Sequence, residues 1–202
     1  MRTILFVLLS LSTASLSITS LSITATAQNV KVEEVGKSPI EAKFFSGGQV
    51  RMDLCSSGIE LIGTDQPRLR VSYHPERDDV KVRIQVSGER ADLQIANCPR
   101  NNFRATIEVP KSSALYVRMF AGELKVRDIT GDKNVILHFG QLTMDIGKPG
   151  DYARVNASVN SGQLDIPSFS VSKGGLFRSF EQSGPGKYRV YAHVGAGQLE
   201  LR

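Results

Sequence analysis

The chain has 202 residues, no Trp, 7% aromatic residues, two Cys, and a formal net charge of +5. Its charges are interspersed along the sequence with only short enrichments such as Pro67-Arg68-Leu69-Arg70, which describes a solvated surface and excludes a nucleic-acid groove. The length suffices for one sizeable core or for two small ones sharing a contact surface, and the core must rely on Val, Ile and Leu.

Arg2 is the only charge before an apolar and hydroxyl-rich stretch, Ile4 to Ala25, that ends in the small-x-small pattern Ala25-Thr26-Ala27. This predicts a secretory signal over residues 1–27, cleaved and not retained, because Ser and Thr interrupt the run and no basic stop-transfer cluster follows. No later segment is apolar enough to span a bilayer as a helix, so no transmembrane segment is expected after cleavage, and the expected location is the periplasm or the cell surface.

Residues 28–110 read as a strand-rich part. Val80 to Val86 (VKVRIQV), Ala91 to Ile95 (ADLQI) and Phe103 to Val109 (FRATIEV) alternate apolar and polar residues, the period of a strand with one wet face. Turn chemistry separates them at Gly63-Thr64-Asp65, Ser87-Gly88-Glu89 and Asn97 to Asn102. Cys55 and Cys98 lie in this part. In an oxidising compartment the pair most often forms a disulfide, with free buried thiols as the next reading; metal binding ranks last, since neither a His nor a second Cys pair stands nearby.

Residues 111–202 carry a repeated phrase: AGELKV from Ala121, FGQLTM from Phe139, SGQLDI from Ser161 and AGQLEL from Ala196. Gly122, Gly140, Gly162 and Gly197 are each followed by Glu or Gln and then by an alternating strand. Another alternating strand precedes three of them, so the predicted unit is strand, Gly corner, strand, turn. Such a unit has too little apolar surface to fold alone and is expected to stack on its neighbours. Glycine supplies the positive φ or close approach that a sharp corner needs. Gln141, Gln163 and Gln198 are expected to align on one face. A ligand row is the rival reading, but periodicity alone aligns such residues, and the structural reading is preferred.

The run Val109-Pro110-Lys111, leading through Leu115-Tyr-Val-Arg into Ala121-Gly-Glu-Leu-Lys-Val, resembles the bacterial putative-adhesin domains of unknown function, in which a strand ending in Val-Pro is followed by Gly-cornered rungs of a β-solenoid. The likeness covers roughly residues 45–202, with Ser46 to Met52 and Ser57 to Leu61 as earlier rungs, and this chain carries Gln or Glu where the family usually has Asp. The resemblance implies an all-β fold, a β-solenoid preceded by a strand-rich part of the same domain. It also implies an exported, non-catalytic role at the envelope, with no cofactor and no catalytic residue to carry over.

One stretch breaks the rhythm. Residues 167–187 (PSFSVSKGGLFRSFEQSGPGK) read as an insertion combining Phe169, Phe177 and Phe180 with Lys173 and Arg178. Two readings apply: a glycine-rich lid whose phenylalanines close the end of the core, or a loop that meets a partner. The partner would be an envelope protein or a glycan. An enzyme finds little support: His74, His138 and His193 are far apart in sequence, no nucleophile or zinc motif is present, and Asp145, Asp165 and Glu200 occupy ordinary outward strand positions. The leading expectation is an adhesin-like scaffold presenting a repeat face; the alternative is a β-helical protein that binds or cleaves polysaccharide.

Overall fold

A computed structural model describes residues 29–75, 78–99 and 102–202; the expected signal, residues 1–27, lies outside them. The described chain is all-β. Its strands are β1 (Asn29–Val35), β2 (Ile40–Lys43), β3 (Gln49–Leu54), β4 (Ser57–Thr64), β5 (Arg68–His74), β6 (Lys81–Ser87), β7 (Arg90–Ala96), β8 (Arg104–Pro110), β9 (Ala114–Arg127), β10 (Lys133–Met144), β11 (Tyr152–Ile166), β12 (Val171–Ser183) and β13 (Tyr188–Leu201). Two single 3-10 turns, Pro149–Asp151 and Pro167–Phe169, are the helical segments among the described residues.

All thirteen strands belong to one large, mixed, open sheet. Its centre is a parallel stack in the order β9, β10, β13, β11, closed on the outside by β12 running antiparallel to β11. Each long strand of the stack has two arms that meet at its glycine. The first arm of β9 pairs with β3 and its second arm with β4, so β3 and β4 together act as one further, broken rung. Beyond it the arms separate: β7, β6 and β1 extend the first, while β8, β5 and β2 extend the second. The apolar side chains between the two arms form one buried cluster running the length of the molecule.

Alternation explains which residues enter that cluster. Leu124, Leu142, Leu199 and Leu164 are neighbours in register on successive strands, all four fully buried. Burying each contributes roughly 2 kcal/mol. Val117, Val135, Ala192 and Ala157 form the matching row of the first arm.

The corner glycines are also in register, as Gly122, Gly140, Gly197 and Gly162, with φ between +126° and +140°. A fifth, Gly175 of β12 (φ +115°), pairs with Gly162 and extends the line. A Cβ on Gly140 would sit 2.0 Å from the Gly122 carbonyl oxygen, and one on Gly197 would sit 1.8 Å from that of Gly140. The corners therefore stack backbone on backbone, which only glycine permits.

Three expectations need correction. The repeats do not stack in chain order, because β13 inserts between β10 and β11. The strands also run continuously through their corners where separate strands were expected. Finally, residues 167–187 are not a loop: a 3-10 turn leads into the thirteen-residue edge strand β12, with Ser170 in the left-handed region (φ +55°) making the reversal.

Cys55 and Cys98 form a disulfide with Cα atoms 5.9 Å apart. They follow the parallel partners β3 and β7, so the bond ties the exits of two adjacent strands.

One inward position holds a cation. Lys133 is 1% exposed; its Nζ donates to the Tyr152 hydroxyl at 2.8 Å and to the Gly131 carbonyl at 3.3 Å, and lies 5.0 Å from the centre of the Tyr152 ring. Burial pushes the ammonium pKa down to about 8 against the opposing pull of Asp132 and Asp151, while burial raises the Tyr152 phenol to about 12. Below pH 8 the folded protein carries the whole cost of the buried charge. Between pH 8 and 10.5 the folded state releases this proton before the unfolded state does, so stability rises, by about 3 kcal/mol from this group. Above pH 10 Tyr152 acts oppositely, since only the unfolded phenol ionises, and the gain reverses. Urea titrations at pH 7, 8.5 and 10 are expected to show this rise in the native protein and a flatter profile in Lys133→Met; equal slopes would contradict it.

Candidate functional site

The outer surface of the stack follows from the same register. Aligned on their corner glycines, the repeats place Tyr116, Asn134, Tyr191 and Asn156 six residues before Gly122, Gly140, Gly197 and Gly162. These four are hydrogen-bonded neighbours across β9, β10, β13 and β11 and form one outward row of the first arm. A second row, two residues nearer the corner, is Arg118, Ile136, His193 and Ser158. The individual residues were visible in the sequence, but the row emerges only after alignment on the glycines and reordering of the strands.

At the corner itself the surface is apolar at both ends and small in between. Phe120 and Phe139 are exposed and pack edge to face with centroids 5.4 Å apart, and His138 lies 5.9 Å from Phe120. Continuing from Phe139, the register row runs through Ala196 and Ser161 to Leu176 of β12. Leu176 is 63% exposed and its neighbour Phe177 79% exposed, the latter with φ +53°. The result is a saddle along the convex corner, with aromatic rims on β9 and β10 and an aliphatic and aromatic rim on β12, roughly three strand spacings or 14 Å away.

The five residues expected to meet a partner, Phe169, Lys173, Phe177, Arg178 and Phe180, fall on the 3-10 turn and on different faces of β12. Cross-strand pairing puts Val171, Lys173, Arg178 and Phe180 on the face of β12 that continues the core, opposite Ile166, Leu164, Val159 and Ala157. Phe180 packs on Phe169 with centroids 5.0 Å apart. Lys173 Nζ donates to the Ser179 carbonyl at 3.1 Å and Arg178 Nε to the Gly174 carbonyl at 2.8 Å, each reaching across the bend of the strand. Phe169, Val171 and Phe180 thus pack on the end of the core, Lys173 and Arg178 stay exposed on the same face, and Phe177 points into solvent. These two exposed cations at a free edge also oppose the stacking of another sheet there.

Gln141, Gln198 and Gln163 align as expected on the second arm, beside Glu123. Gln163 donates to Asp165 at 2.9 Å and to Ser172 at 3.0 Å, and Ser172 donates to Asp165 at 2.7 Å. These bonds to the ionised form hold the Asp165 carboxyl below its usual range. Its register neighbour Glu200 is held by Arg202 through two bonds of 2.8 and 2.9 Å. An Asp165 carboxyl held as the anion has no proton to offer a leaving group at neutral pH, so it does not fit a glycosidase acid.

His138 and His193, distant in sequence, are brought close enough to interact electrostatically, and His74 ends β5 elsewhere. His193 Nδ1 and Ser158 Oγ are 2.9 Å apart. Burial, and secondarily His138, lowers the His193 pKa. The row beside this pair continues to Ile136 on one side and Ser179 on the other, neither of which can orient an imidazole as a carboxylate does. Among the described residues no group of three or more His, Cys, Asp or Glu is placed to hold a metal ion, and no helix is long and apolar enough to cross a membrane.

No protein-family model matches the chain, and no curated relative matches it. Two solved structures are similar to it. A putative cell adhesion protein from Clostridium sporogenes aligns over 87% of this chain and 100% of its own, at 13% identity and a TM-score of 0.49. A putative adhesin from Bacteroides fragilis aligns over 87% and 99%, at 9% identity and a TM-score of 0.28.

Proposed function

We propose that the protein is an exported, non-catalytic, adhesin-like scaffold in which the Gly-cornered stack serves as a short β-solenoid presenting its convex corner to a partner at the cell envelope. The observation that carries this is the corner saddle: Phe120, Phe139, Leu176 and Phe177, four of the eight large apolar side chains exposed among the described residues, lie together on one ridge. Exposed large apolar side chains gathered on one ridge of a folded protein mark an interaction site. The disulfide supports an oxidising compartment. Within 167–187 the partner contact falls to Phe177, with Leu176, while the neighbouring residues hold the end of the stack.

Affinity capture from envelope extract tests this, comparing the intact protein with Phe120→Ser/Phe177→Ser. Both side chains are exposed, so the variant is expected to keep its melting temperature within a few degrees and lose roughly tenfold or more in captured partner. Equal capture by the two proteins would remove the ridge from consideration. Release of reducing sugar from envelope polysaccharide by the purified protein would overturn the non-catalytic reading.

A further inference from the structure

The outward row Tyr116, Asn134, Tyr191 and Asn156 lies beside the corner ridge but has a different chemistry. The tyrosines are 42% and 39% exposed, so neither serves mainly as core. They stand on strands separated by β10, about 10 Å apart by the spacing of strands in a sheet. The amides of Asn134 and Asn156 sit beside them in the row, and neither has a side-chain hydrogen bond among the described residues. Together with Arg154 and Arg189 these residues line a groove of about 300 Å³.

The charges of the groove are unevenly matched. Arg154 is paired with Glu181 of β12. Asp132 accepts the Arg189 backbone N–H at 2.9 Å and interacts with the buried Lys133 ammonium. The Arg189 guanidinium makes no ion pair among the described residues, which leaves one free planar donor at the groove margin.

From this geometry we infer that the row binds an acidic polysaccharide, a chain of uronate sugars lying across the strands. The inference rests on the adhesin-like reading above and names a ligand for the face next to the ridge. A pyranose offers an apolar C–H face ringed by hydroxyls. The tyrosine rings meet the first, as aromatic faces do for flat apolar surfaces, and the asparagine amides supply both donor and acceptor for the second. Two rings separated by one strand span about the length of a disaccharide, so successive stacking positions fit alternate sugars with an amide between them. Arg189 matches a sugar carboxylate through its planar fork. A protein partner would favour the apolar rims of the corner saddle instead, and a neutral glycan would leave the guanidinium unmatched.

Affinity electrophoresis of the whole protein in native gels containing polygalacturonate, or its carboxyl-reduced neutral counterpart, provides the test. The protein is basic, so charge alone will slow it, and charge-matched variants are needed. Retardation by polygalacturonate is expected to exceed that by the neutral polymer. Tyr116→Ala and Tyr191→Ala, which leave the charge unchanged, are each expected to weaken it roughly tenfold. Arg189→Ala is expected to weaken it several-fold more than Lys43→Ala, an equal charge change at the exposed end of β2. Unchanged retardation in both tyrosine variants, equal losses in the two cation variants, or equal retardation by both polymers would each overturn the inference. Absence of retardation alongside undiminished, ridge-dependent envelope capture would overturn it while leaving the proposed function standing.

Discussion

Gly162→Ala is expected to cost about 4 kcal/mol or more, enough to unfold much of a domain whose total stability is of ordinary size. Two effects add. At φ +136° an L-residue is strained by about 1–3 kcal/mol. The new Cβ would also lie 1.8 Å from the Gly197 carbonyl oxygen, a backbone atom that cannot swing aside without breaking the ladder to β13. Gly47→Ala supplies the comparison, because Gly47 has φ +89° with nothing within 4 Å of the added carbon, so it carries strain without collision. Urea denaturation should place Gly162→Ala well below Gly47→Ala in midpoint. Equal midpoints would mean that the stacked corners contribute nothing beyond local backbone strain.

Reducing the Cys55–Cys98 bond, or replacing both residues by Ala, is expected to destabilise the protein by about 4 kcal/mol, since the bond closes a loop of 43 residues in the unfolded chain. The effect should appear as a lower denaturation midpoint in reductant, absent in the double variant, which starts low. A midpoint indifferent to reductant would show that the pairing of β3 with β7 holds that region without the crosslink.

Much of the fold was legible because burial imprints a period. β6, β7 and β8 lie where VKVRIQV, ADLQI and FRATIEV alternate, and four of the five corner glycines stand in the repeated phrase. Strand β12 was illegible for the same reason. It lies at an open edge with both faces largely wet, and Lys173 and Arg178 occupy the positions that a buried strand would give to Leu and Val, so no alternation survives to mark it. Gly175, in the run Gly174-Gly175, lacked the phrase that marked the other corners.

The strand order escaped for a topological reason. The tight reversal through Pro167–Phe169 and Ser170 folds β12 directly onto the outer edge of β11, leaving only the inner edge for β13. Spacing along the chain carries no trace of which edge is taken. The proposed partner face was half legible in consequence: Phe177 was singled out as a residue, but its place on a ridge with Phe120 and Phe139, and the tyrosine row beside it, depend on that unseen order.

That order also sets a timetable for folding. β10 and β11 share no hydrogen bonds, because β13 lies between them and pairs with both. The rungs formed by β3 with β4, by β9 and by β10 can add one after another onto a growing template. The β11–β12 hairpin joins the stack only through β13, so its inner edge stays unpaired until β13 enters the gap. The last strand of the stack is thus its keystone, and the interval before it arrives is when β10 and β11 are open to pairing with a wrong strand.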